Sequence, residues 1–360
     1  MKKYLLIAVL MMASLFQGCV RTDYDPTPDK EVTFAVGCYA TQTKASSLLD
    51  SEDGISSFKS KGYLYAEGLE GQAQNFFGAT GETISWDETN EEWTPSHPYY
   101  WPKSSESYIN FVSWYDKNGN PTTVSETSLV WSIDGNPRSI VADDNIMFAD
   151  EVWGYKQNLS PAAYGFDNVS SGVPTLFHHA LAKMRFRVRA AEGSLNSNVS
   201  LTVHDFVVEN IFKTGTLSLT NSNPANDATP VEGPTTKAWR GSWSFTGAEA
   251  DTLKGYPASI NLTEEYQSIM DLRAVIPQGV NNILVTFNYD ITTSIDANNS
   301  ISETVPVSVG LSSFTANSLA WNKVYTFSIT INPALVEIQV DPASIAEWVD
   351  PTMQIITVNE

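Results

Sequence analysis

Basic residues are scarce in this 360-residue chain, in which 21 Lys and Arg stand against 41 Asp and Glu, a formal net charge of −20. A surface this acidic repels phosphate backbones, which argues against nucleic-acid binding. Cysteine is also scarce, and two cysteines cannot form a disulfide framework or, unaided, a structural zinc site. Apolar material is plentiful, with 42% hydrophobic residues including 10 Trp, 15 Tyr and 16 Phe, so we expect folded domains rather than disorder.

Motifs of known enzyme active sites are missing from the chain. It has no Gly-x-Ser-x-Gly elbow, no phosphate-binding P-loop and no dinucleotide fingerprint. Acidic residues are so numerous that many pairs of them could be proposed as the two catalytic carboxylates of a glycosidase. The sequence therefore supports no particular pair. Cys38 lies in an alternating segment and is expected to be a small buried side chain rather than a nucleophile. We therefore expect no enzymatic activity, no catalytic residue and no cofactor.

Histidine and acidic clusters do not have the spacing of a metal site. His178 and His179 are adjacent, and neighbouring side chains of a strand point to opposite faces. We expect one of these rings at the edge of the core and the other exposed. Asp143, Asp144 and Asp150 lie close in sequence but lack the spacing and the glycine of a calcium-binding loop. The sequence predicts no metal site.

The N-terminus has the features of an export signal. Lys2 and Lys3 precede an apolar run of about thirteen residues, which is the length of a signal peptide and too short to span a bilayer. The segment ending in Gly18 and Cys19 resembles the lipobox of bacterial lipoproteins, in which the cysteine is lipidated and becomes the mature N-terminus. An ordinary signal-peptidase site nearby is the alternative. We expect residues 1–18 to be a lipoprotein signal peptide, with acyl chains such as palmitate anchoring Cys19 to a membrane.

Short segments in which apolar and polar residues alternate recur along the rest of the chain, and Gly, Asn, Asp, Ser and Pro separate them. A repeat of two residues places one row of side chains in a core and the other in water, which is typical of strands. The clearest segments are residues 32–36, 108–114, 184–188, 201–203, 283–289 and 324–329. Helical periodicity is limited to short stretches at 259–270 and 343–348. Many short strands between turn signals predict an all-β protein built of β-sandwiches.

A cluster of Gly, Asn, Asp and Ser near residues 165–173 predicts a domain boundary. It separates an N-terminal β-sandwich domain, residues 45–172, from a C-terminal one, residues 173–360. Residues 21–30 contain two prolines and no apolar periodicity, so we expect an extended tether there.

Aromatic residues are concentrated between positions 93 and 102. Trp93 and Trp101 could stack on sugar rings, as in a surface lipoprotein that binds glycans and stays anchored as a monomer. The other interpretation, which we favour, is that these rings pack at the rim of a sandwich with their polar tips in water.

Six segments, taken in order, resemble the fimbrillin family of Bacteroidetes, the subunits of type V pili. They are residues 39–46, 97–112, 144–149, 176–183, 276–278 and 321–327. The most specific is 176–183, since an apolar-Phe-x-His-Ala-Leu-Ala-Lys run is typical of these proteins. The last segment departs slightly, because Asn322 stands where the family often has glycine before a lysine. Together the segments span nearly all of the exported chain.

The resemblance implies two tandem transthyretin-like β-sandwich domains with Greek-key topology. It also implies export as a lipoprotein to the outer membrane and assembly into a cell-surface fimbrium that supports adhesion. In the family, a protease of trypsin-like specificity removes the lipidated N-terminus together with the first strand, and a C-terminal strand of the next subunit fills the vacated groove. The implied partners are that protease, the outer membrane before processing, and other pilin subunits, both in a head-to-tail homopolymer and as accessory or tip pilins.

Lys44 and Ala45 are the predicted processing site. Lys44 follows the alternating run 31–40 and precedes a polar loop, so a cut there would remove a complete strand. Residues 19–44 would then be a propeptide of tether and first strand that contains both cysteines. Arg21 is the rival basic site, although a cut there would free the lipid without opening a groove. Lys44 could also be an ordinary loop lysine in a subunit that stays anchored.

Residues 333–360 form the predicted donor-strand tail. Prolines at 333, 342 and 351 are expected to divide it into separate pieces, because proline cannot donate to the hydrogen bonds of a sheet. The last piece supplies the predicted donor residues Met353, Ile355, Ile356 and Val358. Alternatively the tail completes its own domain, and residues 335–340 could do so while the last piece donates. The long tail favours a stalk subunit over a tip subunit.

Overall fold

The computed structural model describes residues 30–40, 55–67, 72–135, 138–157, 159–164, 166, 171–221, 235–246, 248–315, 317–333, 337–348 and 354–357. Within these residues the chain forms four β-sheets and two short 3-10 helices, Pro161–Tyr164 and Leu311–Ser313. The prediction of an all-β protein is confirmed. The described residues include no helix that is long and apolar enough to cross a membrane.

The largest sheet has eleven strands and is built mainly from the N-terminal half of the chain. Its strands are β1 (Phe34–Ala40), β2 (Ser57–Tyr65), β3 (Gln74–Asn75), β4 (Glu82–Asp87), β5 (Glu92–Pro95), β6 (Tyr108–Asp116), β9 (Ile146–Ala149), β10 (Glu151–Tyr155), β11 (Val173–His179), β15 (Thr235–Lys237) and β24 (Gln354–Thr357). The strand order is β15-β10-β6-β9-β11-β1-β5-β4-β2-β3, with β24 beside β1. An additional pairing of β2 with β6 closes the middle of this order into a ring.

Aromatic side chains fill the core inside this ring. Phe34 lies edge-to-face against Phe58 and Phe111, with ring centroids 5.7 and 5.6 Å apart. Phe177 packs edge-to-face on Phe58 from β11 at 5.2 Å. Edge-to-face packing brings the positive edge of one ring to the negative face of the next, which adds to the burial of apolar area.

The C-terminal half forms two further sheets that pack over a common core. The first has the order β19-β12-β22-β23, with strands β12 (Ala182–Ala190), β19 (Gln267–Val275), β22 (Lys323–Asn332) and β23 (Glu337–Glu347). The second has the order β17-β13-β20-β21, with β18 also on β13, and its strands are β13 (Val199–Phe212), β17 (Ala250–Lys254), β18 (Ser259–Asn261), β20 (Leu284–Ser294) and β21 (Ser300–Gly310). Phe186 and Phe327 of the first sheet and Phe206 and Phe287 of the second are buried in one cluster. This half is a β-sandwich.

A fourth sheet joins the two halves. Its order is β16-β14-β8-β7, with strands β7 (Thr123–Val124), β8 (Ser128–Ile133), β14 (Gly215–Thr220) and β16 (Arg240–Ser244). Leu217 lies opposite Trp131 in this sheet, and both are buried in a cluster that also contains Trp348. Residues on either side of the predicted boundary therefore share a sheet and a core. The domain limits 45–172 and 173–360 stay a prediction. β11 pairs within the largest sheet, and β12, the next strand along the chain, pairs within the sandwich.

The prediction of short helices at 259–270 and 343–348 is wrong. Residues 259–261 and 267–275 are strands β18 and β19, and residues 343–347 belong to β23. Helical segments this short are marginal by themselves, so pairing with neighbouring strands decides their structure.

The prediction that Pro342 separates two pieces of the tail is also wrong. It lies within β23, which pairs with β22 along its length. The register shifts between Thr326 and Ser328 of β22, opposite the segment that contains Pro342, and such a bulge accommodates a residue without an N–H group. β23 is also the last strand of its sheet, where a missing donor costs least.

Candidate functional site

β1 lies inside the largest sheet rather than at its edge. On one side it pairs in parallel with β11, from Phe34 opposite Val173 to Cys38 opposite Phe177. On the other side it pairs with β5 at Phe34 and in parallel with β24 from Gly37 onward. The first strand of the described chain is thus hydrogen-bonded to neighbours on both sides.

Side chains of β1 are buried on both faces of the sheet. Phe34, Val36 and Cys38 point into the aromatic core. Ala35 is buried on the opposite face, where it packs against Phe166. This confirms the prediction that Cys38 is a buried small side chain in a strand. It also shows that β1 is a structural part of the core.

Gly172 allows the chain to approach β1 closely just before β11 begins. Its φ is +122°, and a Cβ at this position would lie 2.9 Å from the carbonyl carbon of Phe34. The next residue, Val173, donates its backbone N–H to the carbonyl of Thr33 at 2.8 Å. Only glycine adopts this conformation without strain and leaves room for the neighbouring backbone.

The predicted donor segment forms β24, which pairs in parallel with β1 of the same chain. Ile355 lies opposite Cys38 and Ile356 lies opposite Tyr39. The other predicted donor residues, Met353 and Val358, lie outside the described residues. The structure thus places the segment predicted to be donated beside the strand predicted to be removed. Donation to a second subunit stays a prediction.

The earlier part of the tail pairs within its own sheet. Residues 337–340 of β23 pair with residues 329–332 of β22 in the C-terminal sandwich. The pairing of residues 337–340 within their own sheet agrees with the alternative that assigns the earlier part of the tail to the subunit's own fold. The role of the last piece stays a prediction.

The predicted lipidation and processing residues fall outside the described residues. Cys19 precedes the described range 30–40, and Lys44 and Ala45 follow it. β1 ends at Ala40, shortly before the predicted cut.

A buried cluster holds the chain where β23 ends and the last piece of the tail begins, and we call it the tail-root cluster: Asn145, His179, Asn322, Glu347 and Trp348. Trp348 is 1% exposed, and its indole stacks on the imidazole of His179 with centroids 3.9 Å apart and 9° between the planes. The ammonium of Lys183 lies 4.6 Å from the centroid of the same indole, a cation–π contact. These contacts fix the last described residue of the sandwich before β24.

Asn322 connects the segments of the tail-root cluster. Its backbone N–H donates to the carbonyl of Leu181, and its own carbonyl accepts from the backbone N–H of Trp348, both at 3.0 Å. Its side-chain amide donates to Glu347 Oε2 at 3.1 Å, and Glu347 also pairs with the ammonium of Lys323. The φ of Asn322 is +58°, a conformation that glycine and asparagine adopt most readily. This explains why asparagine can stand where the family often has glycine.

His179 is fully buried, and its Nδ1 lies 2.9 Å from Asn145 Oδ1. Its Nε2 has no hydrogen-bond partner among the described residues. Burial, with a smaller contribution from neighbouring His178, lowers the pKa of His179 well below its ordinary value, so the imidazole is neutral. His178 points to the other face, where Nε2 lies 2.9 Å from Asp150 Oδ1 and the side chain is partly exposed. The opposed orientation of the two rings is as predicted.

Acidic residues of the segment 143–151 serve in ion pairs. Asp144 Oδ1 lies 2.9 Å from Arg138 Nη2, and Asp143 Oδ2 lies 2.8 Å from Lys117 Nζ. In the part of the chain that the structure describes, no group of three or more His, Cys, Asp or Glu side chains could hold a metal ion.

The two tryptophans of the aromatic segment 93–102 pack into the core of the largest sheet, whereas Tyr100 of the same segment is exposed. Trp93 is 5% exposed and contacts Phe58, with ring centroids 5.5 Å apart. Trp101 is 7% exposed and contacts Tyr155 at 5.7 Å. Packing is correct for these two indoles, although they lie in the core rather than at a rim with their polar tips in water. Stacking of the two indoles on sugars is wrong, because other side chains cover their faces.

Comparison with known proteins agrees with this architecture. Residues 42–348 match a family model described as Fimbrillin-like. A fimbrial protein from Bacteroides vulgatus is similar in structure, with a TM-score of 0.51, 14% identity, and coverage of 88% of this chain and 99% of that one. The fimbrial anchor protein Mfa2 from Porphyromonas gingivalis is matched over 90% of this chain and 99% of its own, at 9% identity and a TM-score of 0.28. At 14% identity the first likeness concerns the fold alone.

No curated protein shows a significant match to the chain. The family model, in contrast, covers most of the sequence and includes five of the six segments in full, with most of the first. The chain therefore belongs to the fimbrillin-like family.

Proposed function

We propose that this protein is a stalk subunit of a type V fimbria that supports adhesion and polymerises by protease-triggered donor-strand exchange. Membership of the fimbrillin-like family supports a fimbrial subunit with other pilins as partners. The observation that carries the finer proposal is the position of β1 between β11 and β24. A buried strand near the N-terminus, followed by a basic residue, can be removed as one piece.

Removal of β1 would create a binding site. The backbone groups of β11 that pair with β1 would lose their partners, and so would those of β24. The rings of Phe58 and Phe111, which now contact Phe34, would be exposed to water. Burial of a side chain such as phenylalanine is worth about 1.5–3 kcal/mol, so the opened groove favours any strand that fills it. An added strand restores both the hydrogen bonds and the apolar contacts.

The last piece of the tail would fill the groove of the next subunit. Met353, Ile355, Ile356 and Val358 supply four apolar side chains, each worth about 1.5–3 kcal/mol when buried. Once β1 of its own chain is removed, β24 loses the strand with which it pairs. It is then free to pair with a strand of another subunit. The tail-root cluster holds the chain up to Trp348, so the change of partner is limited to the residues that follow.

A contact of this kind joins the tail of one subunit to the head of the next. Because it does not close on itself, it propagates a filament rather than a dimer. Before processing, lipidated Cys19 would hold the subunit at the outer membrane, and the cut after Lys44 would release it.

Limited trypsin digestion of the purified full-length protein tests the proposal. We expect a mature N-terminus at Ala45, followed by an SDS-resistant ladder on electrophoresis. Lys44→Gln should abolish both the cut and the ladder, whereas the matched control Arg21→Gln should leave both unchanged. A protein that is cut after Lys44 and stays monomeric would contradict strand exchange.

A further inference from the structure

A row of three arginines lies on the outer face of the C-terminal sandwich, and we call it the arginine ladder: Arg185, Arg187 and Arg189 of β12. They alternate with Phe186 and Val188, which are buried in the core, so the arginines point away from it. β12 is an inner strand of its sheet, between β19 and β22. With a rise of about 3.3 Å per residue, successive arginines start about 6.6 Å apart.

The three guanidinium groups are held by the same contact. Each Nε donates to a hydroxyl on the facing residue of β22, which runs parallel to β12. The distances are 2.9 Å from Arg185 to Thr326 Oγ1, 2.8 Å from Arg187 to Ser328 Oγ, and 3.3 Å from Arg189 to Thr330 Oγ1. A guanidinium fixed through Nε still presents its two terminal nitrogens to a ligand.

Tyr266 orders two of the arginines further. The Cζ atoms of Arg187 and Arg189 lie 4.2 and 4.6 Å from the centroid of its ring. Its hydroxyl donates to Asp341 Oδ2 at 2.9 Å, which fixes the ring. The arginine ladder is therefore arranged before any ligand arrives, and binding to it costs less side-chain entropy.

Among the described residues, no carboxylate forms an ion pair with the arginine ladder. By contrast, Arg138 is neutralised by both Asp116 and Asp144. Asp341 of β23, the strand on the far side of β22, accepts a hydrogen bond from Tyr266 instead. Three aligned guanidinium groups without a carboxylate partner are unexpected in a chain with a net charge of −20, where acidic partners are abundant.

We infer that the arginine ladder is a docking site for an extended acidic peptide segment of a partner protein. In an extended chain, alternate side chains point to one side with a repeat of about 6.6 Å, the same as that of the ladder. Three carboxylates at alternate positions can therefore each meet one guanidinium, in the paired geometry that arginine forms with carboxylates. Charge complementarity also favours an acidic partner. The site is separate from β1 and does not depend on strand exchange.

Fluorescence anisotropy of labelled peptides with the purified full-length protein tests the inference. One peptide carries three aspartates separated by single threonines, and its isomer carries the same three aspartates in a block. We expect the alternating peptide to bind about twofold to fivefold more tightly than the block isomer. Arg187→Gln should weaken the binding of the alternating peptide about twofold to fivefold. Arg187→Lys should also weaken it, because an ammonium cannot pair with both carboxylate oxygens in one plane.

Arg240→Gln is the matched control, since it removes the same charge from an exposed arginine of β16 and should leave binding unchanged. Arg185→Gln is a second variant of the arginine ladder, and it leaves the contacts of Tyr266 with Arg187 and Arg189 intact. Thermal unfolding of each variant shows whether it is folded. Equal affinity for the two peptides, or an equal loss in the Arg240 variant, would overturn the inference. Tighter binding of heparin than of the peptide would also overturn the inference, because the arginine ladder would then be a glycan site. If the protein self-associates and the Arg187 variant does not, the arginine ladder binds a second copy of this chain, and the inference is overturned as well.

Discussion

The imidazole of His179 lies parallel to the indole of Trp348, with ring centroids 3.9 Å apart. His179 belongs to the segment 176–183 that is most typical of the family, and Trp348 is the last described residue before β24. The stacked pair therefore ties the family segment to the residue that precedes the last piece of the tail. It sets the point up to which the chain is held in its own core.

Truncation of Trp348 should destabilise the folded protein. We expect Trp348→Ala to lower the free energy of unfolding by about 3–5 kcal/mol, because it removes a buried ring together with its stacking and cation–π partners. Urea denaturation followed by circular dichroism measures the change. Trp348→Phe keeps an aromatic face toward His179 and should cost less. Equal losses for the two variants would mean that stacking is not what stabilises the cluster.

Stability should fall with decreasing pH because of His179. Its pKa is lowered in the folded protein, so the unfolded chain binds the proton first. The contribution is complete above the unfolded pKa of about 6.5 and is lost as the pH falls from there toward the lowered folded value, at up to about 1.4 kcal/mol per pH unit. Unfolding free energies measured between pH 5 and 8 test this.

The control for this pH dependence is His179→Asn. The amide nitrogen of asparagine stands where Nδ1 does, so it can still donate to Asn145 but cannot titrate. The difference between the wild-type and variant profiles therefore gives the contribution of the histidine apart from that of the many carboxylates. Parallel profiles over this range would show that His179 does not contribute.

Phe34→Ala separates the precursor from the processed subunit. In the uncut protein we expect a loss of about 3–5 kcal/mol, because Phe34 packs between Phe58 and Phe111 in the core. After cleavage at Lys44 the residue is discarded, so the polymer should melt at the wild-type temperature. Phe58→Ala, in contrast, should weaken both forms. A Phe34 effect that persists in the polymer would show that β1 is retained.

Deletion of residues 351–360 should abolish the SDS-resistant ladder while leaving the monomer folded. β24 is a short strand that follows the tail-root cluster, and the sandwich is complete without it. Circular dichroism and electrophoresis after trypsin treatment measure the two effects. Deletion of only Asn359 and Glu360 is the control and should leave the ladder intact. An unaltered ladder in the longer deletion would refute the donor assignment.

Local alternation in the sequence was sufficient to predict individual strands. Residues 184–188 and 324–329 lie in β12 and β22, and Cys38 is buried as expected. The short helices at 259–270 and 343–348 were wrong, because local periodicity over a few residues is weaker than pairing with a neighbouring strand. Pro342 was likewise misjudged, since the sequence does not reveal that β23 bulges at Pro342 and Ala343 opposite Phe327 of β22.

The amino-acid sequence by itself determined the all-β class, the acidic surface and the family, since these depend on composition, on alternation between neighbours and on the order of short segments. Only the tertiary structure decided that β1 lies beside β24, that Trp348 stacks on His179, and that the arginines of β12 face the hydroxyls of β22. These contacts join residues far apart along the chain. They arise from the way sheets close and pack over a shared core, which no local pattern of side chains encodes.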